Sequence, residues 1–467
     1  MTTKSRHSHH KKKPAVKLDS PARLLARLDR LPDWPYGKRV MWMIGIGFFF
    51  AFFDIVNIGL ALPKIQTQMH VSMGMATWAI TASLIGYIVG SLSDSIIADR
   101  FGRKIGLMLS VAFFSIGSLA TAFAPTLGWI ILFRFITGMG IGAEIAGVST
   151  YMGEMAPAKC RGKVTSMAIA FGMLGFAVVP FVAVAFIPHF SWGWRVLFLI
   201  GAVAGILIAF MRRHMIETPR WLITHGFIEK AQIIIEKSEI ILQSRGHNLS
   251  ELESYDPHVH KPKFKTMLRK PYITRLIMFM ALWFVYYIGN YAWLTLSANL
   301  FEKVGFTLAH SLWMVALTSL GFILGSAWAI RVGDLYERKW SAVVIASIWT
   351  VALLLIAWLH HPALIVFAGF IATVSIGLII PIMYTYTAEN FPTRYRATCV
   401  SITDGFGHLG GAFCGQIVFL FYYLFHGSVS AAFSTMAVTG LLTVIILCFG
   451  IKMTNKSLVH VEISDSP

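Results

Sequence analysis

The stretch Asp99-Arg100-Phe101-Gly102-Arg103-Lys104 places charges of both signs between two long apolar runs. The runs at 77–98 and 105–125 carry almost no charge, and each is long enough for a helix that crosses a membrane. Because the connection is so short, the two helices must be antiparallel neighbours with the charges at one membrane face. A related charged stretch, Gly333-Asp334-Leu335-Tyr336-Glu337-Arg338-Lys339, follows about half a chain later. This recurrence predicts a chain of two related halves. We call residues 99–104 the hinge loop.

The composition excludes a soluble globular protein. The chain has 467 residues, of which 56% are apolar and 13% charged, and its mean hydropathy is +0.67. Such values are typical of a protein embedded in a lipid bilayer. A net charge of +18 also suits a nucleic-acid-binding protein, but the lysines and arginines stand beside the apolar runs, where they set topology and contact anionic lipid. We therefore predict contact with membrane lipid and no nucleic-acid partner.

Apolar segments of about 20 residues predict twelve transmembrane helices and an all-α membrane protein. A polar stretch separates the first six segments from the last six. The predicted divisions are a basic N-terminal tail at 1–38, a six-helix half at 39–212, a central loop with short helices at 213–271, a second six-helix half at 272–452 and a tail at 453–467.

The distribution of positive charge predicts which membrane face is cytoplasmic. With the N-terminus inside, almost all lysines and arginines fall in tails and loops on one side, which is the bias of cytoplasmic loops. The exceptions are Lys64, Arg134, Arg195 and Lys303. Both termini, the central loop and the hinge loop are therefore predicted to be cytoplasmic. We expect an integral protein of the plasma membrane, such as a bacterial inner membrane.

Charged side chains within the predicted spans are candidate functional residues, because a charge at the centre of a span costs about 2.5–3.5 kcal/mol on insertion scales. At a rise of about 1.5 Å per residue, Asp54 in the first span and Arg134 in the fourth both lie about 8 Å from the outer edge of the bilayer core. At one level the two can pair, and the arginine then keeps the carboxylate ionised until a proton or a solute disturbs the pair. The alternative is a permanent structural ion pair.

Glu144 lies about 15 Å deeper in the fourth span, at the end of the glycine-rich run 138–144. The small residues of that run favour close helix contact. The carboxylate is then either a second protonatable site or a polar clamp to a neighbouring helix. We count Asp54, Arg134 and Glu144 as the candidate proton-coupling residues.

Aromatic and polar side chains of the seventh span extend over about 15 Å of depth, which is too far for an interfacial belt. With residues of the tenth and eleventh spans they are predicted to line a cavity between the halves. Asp404 and His408, one helical turn apart, can exchange a proton or bind a polar solute, or they simply satisfy each other. The candidate solute-binding residues are Tyr286, Tyr287, Asn290, Trp293, Tyr384, Asp404 and His408.

The sequence contains neither the phosphate-binding loop GxxxxGK[ST] nor the metal-binding motifs HExxH and CxxC. We therefore predict no cofactor and no metal, with an ion gradient as the source of energy.

Taken together, the residues resemble the major facilitator superfamily of transporters, over nearly the whole length from 39 to 452. The resemblance is strongest to its sugar-porter, organic-ion and metabolite:proton symporter branches. The motifs that carry it are the hinge loop, which matches DRxGRK; Phe53-Asp54 with Gly59; Arg134 with the glycine run; Glu154-Met155-Ala156-Pro157 with Arg161-Gly162; Glu217-Thr218-Pro219-Arg220-Trp221-Leu222; and Glu389-Asn390-Phe391-Pro392-Thr393 with Arg396.

The resemblance implies a transporter, not an enzyme, that works by alternating access. In sugar porters the aspartate of the first helix takes the coupling proton and the arginine of the fourth modulates it, which corresponds to Asp54 and Arg134. Charged hinge residues in such families form cytoplasmic salt bridges that close the outward-facing state. The corresponding residues are Asp99, Arg100, Arg103, Glu154, Arg161, Asp334, Arg338, Glu389 and Arg396.

The chain departs from the family pattern at several positions. Ser95 and Glu337 replace glycines of the two hinge motifs, and Gly289-Asn290 lacks the preceding glutamine pair that is typical of hexose binding. We predict a proton-coupled symporter of a small organic solute, such as an organic acid or an aromatic metabolite, acting as a monomer with solute and proton as its partners. The alternatives are a sugar or organic-cation symporter, a proton-driven efflux antiporter and a transporter-like solute receptor.

Overall fold

A computed structural model describes residues 18–157, 159–252, 268–332 and 335–452, and for 393–395 and 397 it gives the backbone alone. Within these ranges, twelve helices are long and apolar enough to cross a membrane, which confirms the predicted fold class. They are span 1 (Gly37–Met69), span 2 (Met73–Phe101), span 3 (Arg103–Ala122), span 4 (Leu127–Met155), span 5 (Arg161–Phe186), span 6 (Gly193–Arg212), span 7 (Tyr272–Val304), span 8 (Leu308–Val332), span 9 (Arg338–Trp358), span 10 (Pro362–Glu389), span 11 (Thr398–Leu424) and span 12 (Val429–Phe449).

Several spans are interrupted or begin earlier than these bounds. Span 2 breaks at Thr77, span 8 at Leu320 and span 11 at Phe413, and the helix of span 11 starts at Thr393. Within each half, successive spans run in opposite directions because short turns join them. We call the face that carries the hinge loop the hinge face, and the opposite face, where spans 1 and 2 are joined, the far face.

Left-handed residues close two long helices at the far face. His70 ends span 1 with φ at 51° and donates its backbone N–H to Gln66. Gly305 ends span 7 with φ at 111°, a conformation that costs glycine little because it has no Cβ.

The two halves meet along three pairs of helices, spans 1 and 7, spans 2 and 11, and spans 5 and 8. Polar bonds between the halves lie in the middle of the spans, as from Ser319 to the Ala177 carbonyl at 2.9 Å, and toward the far face. Thr81 donates its hydroxyl to the Ala412 carbonyl at 2.7 Å, and the Asn299 amide donates to the Gln66 side chain at 3.4 Å. The halves are therefore bonded together in the middle of the spans and on the side away from the hinge loop.

Three shorter helices lie at the hinge face, namely α1 (Pro21–Asp29), α2 (Pro219–Thr224) and α3 (Ile228–Ser244). Helix α1 starts with Ser20 as its N-cap and Pro21 in its first turn, which are favourable residues at those positions. Its leucines at 24 and 28 are fully buried against α2 and α3, in a cluster that includes Ile223 and Ile235. The segment that precedes span 1 thus packs on the linker between the halves.

Ion pairs fix α1 to α3. Arg27 contacts both oxygens of Glu239, at 3.1 and 2.5 Å, and Arg30 contacts the same carboxylate at 2.6 Å. Partial burial raises the pKa of Glu239, but the hydrogen bonds from the two arginines outweigh burial and leave the pKa below its ordinary value.

Candidate functional site

Hinge charges of the first half form a compact network. Arg103 contacts Asp99 at 2.5 Å and Glu154 at 2.7 Å, and so links the ends of spans 2, 3 and 4. Glu217, just before α2, accepts hydrogen bonds from the backbone N–H groups of Arg103 and Lys104 at 3.1 and 3.2 Å. A carboxylate at the start of span 3 is favourable because the free N–H groups and the helix dipole both attract negative charge there.

The remaining hinge candidates have different surroundings. Arg100 is exposed and lies over the ring of Phe101 at 5.4 Å, whereas Arg161 contacts Asp29 of α1 at 3.5 Å. In the second half, Arg338 pairs with Glu389 at 2.8 Å, and Arg396 donates to the Ala388 carbonyl at 2.9 Å. Asp334 lies outside the described residues.

The central charged site of the first half joins Asp54 of span 1 to Arg134 of span 4. Both side chains are fully buried, and a guanidinium nitrogen of Arg134 forms an ion pair with Oδ1 of Asp54. Ser118 of span 3 donates its hydroxyl to Oδ2. Gly201 of span 6 faces the same oxygen, and a methyl group at that position would lie 2.8 Å from it. Four helices thus enclose the carboxylate.

The guanidinium of Arg134 makes further hydrogen bonds in the same place. Its Nε donates to the Ser83 hydroxyl of span 2 at 2.8 Å, and its other nitrogens reach the Asp54 carbonyl at 3.1 Å and the Asn57 side chain at 3.4 Å. Removing one partner of such a pair would leave a buried charge without compensation, at a cost of roughly 3–5 kcal/mol. Separation of the pair without replacement of one of the two charges would carry a cost of the same kind.

Glu144 belongs to a second buried ion pair closer to the hinge face. Arg212, the last residue of span 6, donates two nitrogens to its carboxylate at 2.6 and 2.5 Å. Ser110 of span 3 adds a hydrogen bond at 2.8 Å. Gly47 of span 1 provides the space, because a side chain there would overlap both members of the pair.

Polar residues of spans 7, 10 and 11 meet in the second half. Tyr287 and Tyr384 both donate to Oδ1 of Asp404, at 2.9 and 2.5 Å, and their hydroxyl oxygens are 3.1 Å apart. His408 lies 3.6 Å from the other carboxylate oxygen, and its Nδ1 is 2.8 Å from the Asp404 carbonyl. The Asp404 side chain is 16% exposed, so the cluster is open on one side. We call these four residues the tyrosine cluster.

Three other solute-binding candidates lie apart from this cluster. Trp293 is buried against Phe301 and Phe433, toward the far face. Tyr286 points to Trp349 of span 9, and neither its hydroxyl nor the side-chain amide oxygen of Asn290 has a hydrogen-bond partner. The aromatic content of span 7 predicted these residues, but adjacent positions on one helix face different neighbours.

His408 connects the tyrosine cluster to the first half. Its imidazole stacks on the ring of Tyr87 in span 2, with ring centroids 4.0 Å apart and planes 11° from parallel. Tyr87 and Tyr291 also line a small enclosed cavity next to Arg134. The two charged sites are therefore separated by a few aromatic rings and this cavity.

Sequence reasoning missed the partners of the two carboxylates on spans 3 and 6. Arg212 stands at the end of a predicted span, where a cation is ordinarily a loop residue. Ser110 and Ser118 lie in an apolar helix in which serine is common. Their eight-residue spacing, about 12 Å along the helix, is of the same order as the depth difference of about 15 Å predicted for the two carboxylates.

The site offers no arrangement for a metal ion among the described residues, since no three of their His, Cys, Asp or Glu side chains cluster together. Its chemistry is that of buried ion pairs, hydroxyl groups and aromatic rings.

Comparison with known proteins identifies the family. The profile of the Major Facilitator Superfamily matches residues 44–415, and a second match covers 278–460. The chain belongs to this superfamily. It is therefore a membrane transporter and not an enzyme, as predicted, and the superfamily assignment is confirmed.

Relatives within the superfamily are named as transporters of small metabolites. The chain is 29% identical to the putative metabolite transport protein YyaJ of Bacillus subtilis, over 84% of this chain and 87% of that protein. It is 26% identical to the niacin transporter NiaP of Acinetobacter baylyi (83% and 88% covered) and 26% identical to the 4-hydroxybenzoate transporter PcaK of the same organism (80% and 84%). The xylose transporter XylE of Escherichia coli, in a partially occluded inward-open structure, has the same fold, with a TM-score of 0.73 at 17% identity over 90% of this chain and 99% of that one.

Proposed function

We propose that this superfamily member is a proton-coupled symporter that takes up a small organic acid, in particular an aromatic carboxylate. The observation that supports this proposal is the buried Asp54–Arg134 pair beside a cluster of tyrosines at the boundary of the two halves. Niacin and 4-hydroxybenzoate, the solutes named for two relatives, are both aromatic carboxylates.

Proton coupling follows from the position of Asp54. Its carboxylate is charged while Arg134 pairs with it, and a proton removes that charge and weakens the pair. In this proposal the hinge face is cytoplasmic, as the distribution of positive charge predicts. The bonds between the halves near the far face then belong to a state that is closed to the outside. The hinge network, including the Arg103–Glu154 and Arg338–Glu389 pairs, changes partners as the halves rock.

The tyrosine cluster provides the surface for the ring of the solute. Tyr287, Tyr384 and His408 supply aromatic rings, and Asp404 accepts hydrogen bonds. Offset or edge-to-face contacts between aromatic rings contribute about 0.5–1.5 kcal/mol beyond the area they bury. An aromatic solute can therefore bind here without a dedicated set of polar partners.

A second candidate function rests on Asp404. A carboxylate that is 16% exposed among aromatic rings also suits a solute with an ammonium group. An organic-cation symporter is therefore the second candidate, and the choice of solutes in the test separates the two.

The test is uptake into proteoliposomes that hold the purified protein under an imposed pH gradient. Benzoate, nicotinate and 4-hydroxybenzoate represent the acids, and choline and tyramine represent the cations. We expect accumulation of at least one acid above equilibrium, and loss of accumulation in Asp54→Asn. Glu251→Gln, which neutralises an exposed carboxylate of the linker, is the matched control. Undiminished accumulation in Asp54→Asn would refute proton coupling at this residue, and accumulation of the cations alone would favour the second candidate.

A further inference from the structure

A small cavity beside Arg134 is lined by residues of both halves, about half of them isoleucine, leucine or glycine. The cavity measures about 10 Å³, which is close to the lower limit for one water molecule. Arg134 and Ser83 line it from the first half, and Tyr291 and Thr295 of span 7 line it from the second. Because its walls belong to both halves, any relative movement of spans 1 and 7 changes its size.

The polar groups around the Arg134 guanidinium have donors to spare. A guanidinium has five N–H donors, and the bonds to Ser83, Asp54 and Asn57 use four of them. The Asn57 amide nitrogen is buried without a hydrogen-bond partner. Ser83 accepts from Arg134, and the described contacts give its own hydroxyl proton no acceptor. The missing partner is therefore an acceptor.

Electrostatics points to the same kind of partner. The pair of Asp54 and Arg134 is neutral overall, so a proton on Asp54 leaves a net positive charge buried at the cavity. An isolated buried charge is costly, and a second carboxylate on the guanidinium removes the cost. We infer that Arg134, with Asn57 and Ser83, forms the subsite for the carboxylate of the transported solute, which takes the place of Asp54 on Arg134 when Asp54 holds a proton. This inference deepens the proposed function and rests on it.

The rest of the solute has a defined place relative to this subsite. Tyr87 and Tyr291 are part of the cavity wall, and the rings of both contact His408 of the tyrosine cluster. A carboxylate on Arg134 therefore positions an attached ring against the tyrosines, across the boundary between the halves. In the described state the cavity is too small for a carboxylate, so the solute enters the subsite only when span 7 moves away.

In this inference, protonation of Asp54 triggers the exchange of partners on Arg134, and few groups surround the two residues. Span 3 contributes Ser118, span 4 contributes Arg134, and span 6 contributes Gly201. Beyond the cavity, span 2 contributes Tyr87, span 7 contributes Tyr291, and span 11 contributes His408 behind them. Arg134 is the only one of these that carries a fixed charge, so the exchange of partners on Arg134 couples one proton to one anion.

The first test measures binding to the purified full-length protein between pH 5 and pH 8. Nicotinate and benzoate are the charged probes, and nicotinamide is a matched probe without a carboxylate. For the wild type we expect the Kd of the carboxylates to rise with pH, by up to roughly tenfold per pH unit, and the Kd of nicotinamide to stay constant. In Asp54→Asn, carboxylate binding should persist and lose its pH dependence.

Substitution at the subsite supplies the decisive comparison. Relative to Asp54→Asn, the double variant Asp54→Asn/Arg134→Gln carries no unpaired charge, and we expect it to bind nicotinate more than about tenfold more weakly while its affinity for nicotinamide is unchanged. Asn57→Leu, which roughly keeps the side-chain volume, should also lower the affinity for nicotinate. Three results would overturn the subsite. They are equal nicotinate affinity in the single and double variants, carboxylate binding by the wild type that does not depend on pH, and the failure of every carboxylate probe to bind.

The outcomes separate this inference from the proposed function. If Asp54→Asn abolishes proton-driven accumulation but the double variant still binds nicotinate as Asp54→Asn does, coupling stands and the subsite does not.

A further measurement uses an imposed membrane potential. Cotransport of one proton and one anion moves no net charge, so valinomycin and a potassium gradient should leave the initial uptake rate unchanged, whereas a pH gradient should raise it. A rate that follows the potential would contradict the paired movement.

Discussion

The carboxylate of Glu144 receives two nitrogens of Arg212, at 2.5 and 2.6 Å, in the interior of the first half. This pair ties span 4 to span 6, with Ser110 as a third partner. Of the two roles that the sequence left open for Glu144, the contacts support the polar clamp. The proton-coupling role of Glu144 remains a prediction that a measurement can separate from the clamp.

Glu144→Gln should lower the stability of the protein. The substitution leaves the Arg212 guanidinium buried without its counter-ion, at a cost of roughly 3–5 kcal/mol. Thermal unfolding in detergent should show a lower Tm, and the double variant Glu144→Gln/Arg212→Met should recover much of the loss because no charge is left unpaired. A wild-type Tm for Glu144→Gln, together with a shifted pH profile of uptake, would instead assign a proton to this carboxylate.

Gly59 of span 1 should be essential for closing the far face. A Cβ at this position would overlap the backbone of Thr295 in span 7, where the halves meet. Gly59→Leu should therefore hold the halves apart on that side and abolish transport while the protein remains folded. Labelling of a cysteine placed at Gln66 should be faster than in the parent protein. Gly74→Leu is the matched control, since that glycine has open space around it. Normal uptake by Gly59→Leu would show that the close approach is dispensable.

Helix α1 should detach from α3 in acid. Because the pKa of Glu239 is depressed in the folded protein, its ion pairs contribute stability above the ordinary value of 4.5 and lose it as the pH falls through the folded value. Glu239→Gln should reproduce this loss at neutral pH, and hydrogen bonds to charged groups contribute about 1.5–3 kcal/mol. Amide hydrogen exchange of residues 21–29 should then be about tenfold faster or more, with Glu251→Gln as the control. Unchanged exchange would mean that the buried leucines alone hold the helix.

The orientation of the chain can be tested at two exposed serines. Ser250 follows α3 at the hinge face, and Ser191 lies between spans 5 and 6 at the far face. In a background without the native cysteines, a membrane-impermeant maleimide added to intact cells should label Ser191→Cys and spare Ser250→Cys. Disruption of the cells should expose both. Labelling of Ser250→Cys alone in intact cells would reverse the predicted topology.

The fold was predictable because lipid imposes a simple rule. An apolar segment of about 20 residues in a membrane must be a helix, and twelve such segments with short turns leave few arrangements. The level of Asp54 and Arg134 followed from helical rise alone, and the structure pairs them. The helical rise per residue determines how deep a side chain lies in the membrane, so the depths of two charges on different helices can be compared before any packing is known.

Side-chain neighbours across helices were not predictable in the same way. Arg212 is buried because span 6 packs against span 3 and next to Gly47, which no local pattern reveals. Trp293 and Tyr287 belong to one aromatic run, yet the rotation of span 7 sends one toward Phe433 and the other toward Asp404. The sequence pattern of span 7 predicts the depth and polarity of its side chains, whereas packing against neighbouring helices determines which rings are in contact. Tyr87, which links the halves through His408, had no charge or motif to mark it.

Span 3 packs on spans 2, 4 and 6, which all belong to the first half. It nevertheless supplies a hydroxyl to each buried carboxylate, Ser118 to Asp54 and Ser110 to Glu144. Substitution of these serines by alanine or threonine would change the hydrogen bonding of each carboxylate without altering the surface at which the halves meet. Under the proposed coupling at Asp54, a change at Ser118 thus alters the surroundings of the proton site while the proposed solute-binding surface stays as it is.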